Sequence, residues 1–351
     1  MNNSTSTKLS KWKLQDAAAV ALGDGWATSA CMRRQTGSTT RVHKNEGKAH
    51  YSGLQTCKSV WACPICSSRI ASQRRDEVKQ ALENSNYTPV LVTYTIQHTR
   101  KDKLKDLLNV IKDGLRHTLN GRFRQMFYER FLVAGYVRSV EVRWNPRTGW
   151  HPHCHELMMV KKGASKEAVK SFLMSRYGAF LEKRNYHVNE HTIDVRLNED
   201  TETGDLVSEY LTKSAISLEI TAGAIKEGQS LSQFQLLAAF ADTGDMMYAQ
   251  LFKEYAEATA GKKWLTWSRG LKAELLPDVE EETDEEIAEK EEADSDVVLV
   301  LDRDEWRRVC NMRLRGSLLL AVSLDLDLDE WLWKYGVRHK KKPHLEELND
   351  G

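Results

Sequence analysis

Between residues 88 and 160 the chain repeatedly alternates apolar and polar positions with the period of two that a half-buried strand imposes. Thr88–Thr99, TPVLVTYTIQHT, is rich in β-branched residues and entered through Pro89, which predicts a central strand. Phe131–Trp144 contains GYVRSVEVRW. Turn residues NPRTG connect it to Gly149–Val160, GWHPHCHELMMV, so the pair predicts a hairpin. Helices are expected over Leu9–Leu22, Ser67–Asn84, Lys101–Arg130 and Gly163–Lys183, with a further strand over Val188–Leu197. In DLVSEYLTKSAISLE, Leu206, Tyr210 and Lys213 share one stripe at helical spacing. Strands and helices mixed in this way predict an α+β fold with an antiparallel sheet flanked by helices.

Breaks in composition divide the chain. A polar tail and helix occupy residues 1–29, a cysteine-bearing segment 30–87, and the strand-rich domain 88–275. Residues 276–298 are strongly acidic and predict a solvated, flexible linker. Beyond it, residues 299–351 predict a small accessory domain of a strand and two helices with Trp306, Trp331 and Trp333. Its end, RHKKKPH, suits phosphate binding and solubilisation equally.

Net charge is +1, which by itself argues against a polyanionic partner. However, Asp278–Asp296 holds 12 acidic residues and one lysine; removing these from 51 basic and 50 acidic residues leaves 50 against 38. The body is therefore basic by about twelve charges and suits nucleic acid. No run of about 18 apolar residues and no signal-like leader is found, which predicts a cytoplasmic protein without a membrane partner. No Gly-rich phosphate loop occurs, which argues against a nucleotide-hydrolysing motor.

Two groups of residues point to metals. Cys57, Cys63 and Cys66 are spaced C-x5-C-x2-C, and CPIC forms a knuckle that suits a structural zinc ion. The fourth ligand is open between Cys31 and His50. Six cysteines, three within ten residues, fit a reducing compartment with a metal better than a disulfide framework. On the predicted strand His153 and His155 share a face with Leu157 and Met159, while Cys154, Glu156, Met158 and Val160 face the other way. Across the hairpin Glu141 lies on the histidine face and adds the carboxylate that magnesium or manganese prefers; the bland reading pairs it with an arginine on a wet face. His151, near the turn, completes the cluster or binds DNA. Arg69, Arg74, Arg75 and Lys79 on the helix after the knuckle contact phosphates or form a solvated face.

The phrase GWHPHCHEL, the block HYSGLQTC with SVWACPIC, and YLTK after the histidine strand together resemble the HUH endonucleases, and more narrowly the rolling-circle plasmid replication initiators with an N-terminal zinc knuckle. The likeness covers about residues 30–272. It implies a nicking and joining enzyme in which Tyr210 is the nucleophile; the residues themselves place Lys213 one turn on to favour the phenolate or hold the phosphate, and His153, His155, Glu141 and His151 to serve a divalent cation. It further implies origin DNA, single-stranded or melted, as substrate, and a host helicase and polymerase as partners. Some members of that group end replication with a glutamate one helical turn before the tyrosine. Here that position is Leu206, with Asp205 and Glu209 nearby. A transposase or relaxase of the same type is a competing reading, disfavoured because relaxases usually place the tyrosine first. A zinc-stabilised DNA-binding regulator without nicking activity is the alternative of another class.

Overall fold

The computed structural model describes residues 3–161, 163–197, 200, 206, 210, 229–290 and 296–338. Five antiparallel strands form the main sheet in the order β6-β3-β5-β4-β7, namely Ile193–Arg196, Thr88–Tyr94, Gly149–Val160, Val133–Asn145 and Leu265–Trp267. The mixed α+β architecture with antiparallel sheets flanked by helices is the one expected. The β4–β5 hairpin is its centre: Glu141 pairs with His153, Ser139 with His155 and Val137 with Leu157. On the other side of β5, Thr93 pairs with His155 and Leu91 with Leu157. Gly149 opens β5 at φ +82°, and a Cβ there would lie 2.8 Å from the Arg100 Cα, so the tight turn depends on glycine twice over.

Alternation gives the sheet two distinct faces. One carries Leu91, Val137, Leu157 and Met159, which pack with Val78 and Ala81 of α3 (Pro64–Glu83). The other carries Tyr94, Cys154 and Glu156 and is covered by α4 (Leu104–Thr118) and α6 (Lys166–Glu182), where the Tyr94 and Tyr177 rings meet edge to face at 5.3 Å. Glu156, fully buried on this face, accepts from Arg138 Nε at 2.7 Å and from the Tyr94 hydroxyl at 3.2 Å, so its charge is paired. The basic helix expected over Lys101–Arg130 is two helices, α4 and α5 (Gly121–Phe131), because the chain leaves helical geometry at Leu119 and Asn120.

The first helix, α1, runs Asn3–Leu22 and begins earlier than expected; α2 is the short turn Ala27–Ala30. Strands β1 (Thr40–Asn45) and β2 (Lys48–Ser52) form a hairpin whose free edge takes β8 (Asp296–Leu301), giving a second sheet ordered β2-β1-β8. After β6 come α7 (Gln233–Thr243), α8 (Met246–Thr259) and, past β7, α9 (Leu271–Leu275) and α10 (Asp284–Glu289). The chain closes with α11 (Arg303–Asn311), α12 (Arg315–Ser323) and α13 (Leu328–Lys334).

Two expectations change here. Residues 276–298 are not a free linker over their described part: α10 lies on α3, where Arg74 Nε bonds Asp284 at 2.9 Å, Arg69 reaches the Ala288 carbonyl at 3.1 Å and Lys58 meets Glu289 at 2.7 Å. The carboxylates find cations on another element, so the like charges need not keep the segment extended. The same contacts occupy Arg69 and Arg74, which the sequence left open between phosphates and solvent. Nor do residues 299–338 stand apart, since β8 completes the N-terminal hairpin and α12 packs on α1. There the Arg315 guanidinium, 1% exposed, bonds Asp16, the Gln15 side chain at 2.6 Å and the Met32 carbonyl at 3.0 Å. An unpaired strand edge and a buried cation each require the partner that the far end of the chain supplies. The basic tail beyond Arg338 lies outside the described residues.

Candidate metal centres and the tyrosine

The knuckle is assembled from three elements. Cys63 caps α3, Pro64 starts it, and Cys66 follows in the first turn, so both thiols point back toward the loop holding Cys57. Cys31 arrives from the end of α2 and completes the group. Its sulfur is 3.5 Å from that of Cys63 and 3.6 Å from that of Cys66, while Cys57 is 3.8 Å from Cys66. A tetrahedron with metal–sulfur bonds of about 2.3 Å has edges of about 3.8 Å, so the four sulfurs already have nearly the spacing of a zinc site and fit the ion. Hydrogen bonds from the other three thiols push the Cys57 thiol down, whereas burial pushes the Cys63 thiol up. His50 is elsewhere: it sits in β2 with its ring stacked on His43 at 4.9 Å.

The second cluster lies across the hairpin. Glu141, His153 and His155 each offer one donor atom, all within 4.8 Å of one another. Glu141 Oε2 is 3.1 Å from His155 Nε2 and 3.8 Å from His153 Nδ1. Two donors at about 2.1 Å from one ion lie about 3 Å apart at right angles and about 4.2 Å apart when opposite, and both distances fall in that interval. The other oxygen, Oε1, accepts from Arg143 Nε at 2.6 Å, so the carboxylate meets both the histidines and the arginine that the sequence offered as alternatives. Burial pushes the Glu141 carboxyl up, but the bonds to His153 and His155 and the Arg143 charge outweigh it and hold it well below the usual range. An anionic oxygen beside two imidazoles is a donor set suited to a divalent cation.

Around these three side chains lie Thr93 and His98, which sequence reasoning did not assign, and His151, which it placed in the cluster. Thr93 Oγ1 lies 3.0 Å from His155 Nδ1, which leaves Nε2 facing Glu141. His151 is not within the three-residue donor group; its Nε2 is 2.8 Å from His153 Nε2 and 3.3 Å from Thr95 Oγ1. Burial first, then the charges of His153 and His98, push His151 down to about 3, so it is neutral at physiological pH. His98, from the loop after β3, stacks on it with ring centroids 4.4 Å apart. Strand parity was the available signal for Thr93, once β3 is known to pair with β5.

Tyr210 is helical and wholly buried in the core built on Leu91, Val137, Leu157 and Met159, with Leu206 beside it. The phenol therefore belongs to the same face of the sheet as His153 and His155, beneath them along β5. Lys213, Asp205 and Glu209 lie outside the described residues. No helix among the described residues is long and apolar enough to cross a membrane.

The chain resembles known proteins over most of its length. The chain is 26% identical to the protein Rep of Streptomyces lividans over 325 residues, covering 72% of this chain and 69% of that one. It is also 27% identical over 142 residues to a neomycin resistance protein of Streptomyces cyanogenus, covering 32% of each chain. No solved structure matches it. The family model described as replication protein matches residues 49–309, a span that begins at β2 and closes in α11, and on that match the chain belongs to the replication protein family.

Proposed function

We propose that this replication protein initiates rolling-circle replication of a plasmid by nicking one strand at the origin and later rejoining it. The observation that carries the reading is the Glu141–His153–His155 cluster on the sheet face that also holds Tyr210. In the proposed step the Tyr210 phenol oxygen attacks the scissile phosphorus. A new phosphorus–oxygen bond forms, the bond to the 3′ oxygen breaks, and the phenol proton ends on that oxygen as a free 3′ hydroxyl. A free phenol with a pKa of about 10 is a poor nucleophile at neutral pH. Lys213, one turn on, is proposed to favour the phenolate or hold the phosphate. A magnesium or manganese ion bound by Glu141, His153 and His155 would supply charge to a non-bridging phosphate oxygen. Glu141 itself fixes both imidazoles, and His151 and Thr93 hold the two rings from behind. Because the 5′ phosphotyrosyl link retains the energy of the cut bond, the strand can be resealed without ATP. The 3′ end would prime synthesis by a host polymerase behind a host helicase. Zinc at Cys31, Cys57, Cys63 and Cys66 is the proposed structural ion.

A second reading, a DNA-binding regulator that does not cut, is favoured by one observation: Tyr210 is 0% exposed, so attack requires its helix to open. Incubation with manganese and a supercoiled plasmid carrying its own origin separates the two. Nicking produces open circles and a covalent protein–DNA adduct that Tyr210→Phe abolishes. A band shift with no open circles supports the regulator, and an adduct that survives Tyr210→Phe moves the nucleophile elsewhere.

A further inference from the structure

The layer of helices on the opposite side of the main sheet carries a second charged surface. Helices α4 and α6 pack against the Tyr94 and Cys154 face, with Gly114 of α4 so close to α6 that a Cβ would lie 2.5 Å from the Tyr177 ring. Alternation along β5 places the metal cluster on the other face, so anything bound outside α4, α5 and α6 is separated from it by the sheet. Helix α5 buries Phe127 and Phe131 against Phe172 and exposes most of its length, including Phe123 and Met126.

Seven cations lie on these helices and just past the end of α6: Arg116, Arg122, Arg124, Arg130, Arg176, Lys183 and Arg184. Among the described residues none of them has a carboxylate partner. Four are instead stacked on rings: Arg176 lies 3.5 Å from the Phe123 centroid, Arg184 3.7 Å from Phe180, Arg124 5.0 Å from Tyr128 and Arg130 5.3 Å from Phe131. Arg176 also donates to the His117 carbonyl at 3.4 Å and Arg184 to that of Phe180 at 3.4 Å. The two helices converge there: His117 is held below its ordinary range by burial and then by the charges of Arg176, Lys183 and Arg184.

Unneutralised guanidinium groups, preordered by stacking, suit phosphate oxygens. The ring faces that would otherwise stack with unpaired bases are already occupied, Phe180 by Arg184 on one side and His117 at 5.4 Å on another. We infer that the outer surface of α4, α5 and α6 holds duplex DNA through its phosphate backbone while the opposite face of the sheet engages the strand to be cut. This rests on the reading above for its partner. It adds a separate, sequence-independent anchor that keeps the protein on the duplex flanking the melted origin.

The test uses the full chain and a fluorescent random-sequence duplex, with the matching single strand as control. Two variants are compared with the native protein: Arg124→Gln with Arg176→Gln and Arg184→Gln, and the exposed pair Arg116→Gln with Lys183→Gln, which disturbs no stacked ring. Each lost phosphate contact should lower the slope of log affinity against log salt by about 0.9, giving about 2.7 for the triple variant and about 1.8 for the pair. Manganese affinity and cutting of a single-stranded oligonucleotide should be unchanged. An unchanged duplex slope in both variants overturns the inference, including the case where binding of an acidic host protein is lost instead. So does a loss confined to the single strand. Failure of the native protein to cut would refute the nicking reading alone, since the duplex slope is read without it.

Discussion

The substitution Thr93→Val removes one atom from the layer behind the proposed cation site and leaves the side chain's shape. In the native arrangement Thr93 Oγ1 is 3.0 Å from His155 Nδ1, while Nε2 of the same ring faces Glu141 Oε2 at 3.1 Å. For Nε2 to present a lone pair to an ion, Nδ1 must carry the ring proton, and the threonine oxygen is its acceptor. With valine the hydroxyl acceptor is lost, and the other tautomer competes more strongly. Losing such an outer partner typically weakens metal affinity by about 10–100-fold, or about 1.4–2.7 kcal/mol. His155 is 2% exposed, so water cannot readily replace the hydroxyl, and the effect should fall in the upper half of that range. Titration calorimetry with manganese, read beside a melting curve to establish folding, measures it. Thr93→Ser, which restores the oxygen, should recover most of the affinity. Equal manganese affinity in the valine variant and the native protein would refute the argument, because Thr93 would then have no part in selecting the tautomer.

Two other outcomes follow from the geometry. Cys31→Ser should strip zinc from freshly purified protein and lower its melting temperature, whereas His50→Ala should retain the metal; elemental analysis giving the reverse would return the fourth position to histidine. Arg315→Met leaves the buried Asp16 with Arg33 alone and should destabilise the chain by about 3 kcal/mol in urea unfolding, with one transition. A separate early transition for the C-terminal segment would show that β8 and α12 are not integral to the N-terminal unit.

The site was legible where one short-range rule fixes the answer. A period of two puts His153 and His155 on one face, and the short turn at Asn145–Gly149 then carries Glu141 opposite His153. What escaped was long-range. Whether Cys31 or His50 joins the other thiols depends on how α2 and β2 fold around the knuckle, and nothing in the spacing ranks them. The acidic run read as a solvated linker because its partners are distant: Arg74 and Asp284 are separated by 210 positions. Likewise the pairing of β8 with β1 joins the ends of the chain, and no local pattern announces it. Thr93 was seen as part of a strand, but its contact with His155 follows only from knowing which strand lies beside β5.

Helix α3 ties these long-range features to the proposed chemistry. Cys63 caps it and Cys66 sits in its first turn, its middle carries Arg69 and Arg74 against α10, and Val78 and Ala81 near its end pack in the core that encloses Tyr210. Twenty helical residues span about 30 Å, so one rigid element reaches from the cysteine cluster to the tyrosine. A zinc ion at the proposed site would tie down the start of the helix, and without it the packing on α1 and the clamp with α10 would still hold the helix in place. The core around Tyr210 is completed by Leu91, Val137, Leu157 and Met159 of the sheet and by Leu271, Leu275 and Leu276 from α9 and its end. A shift of α3 therefore removes one wall of the tyrosine's enclosure while leaving Glu141, His153 and His155 on their own hairpin. On this arrangement the elements around the cysteine cluster bear on how Tyr210 is enclosed, while the proposed cation would be held by the hairpin with Thr93 of β3 behind it.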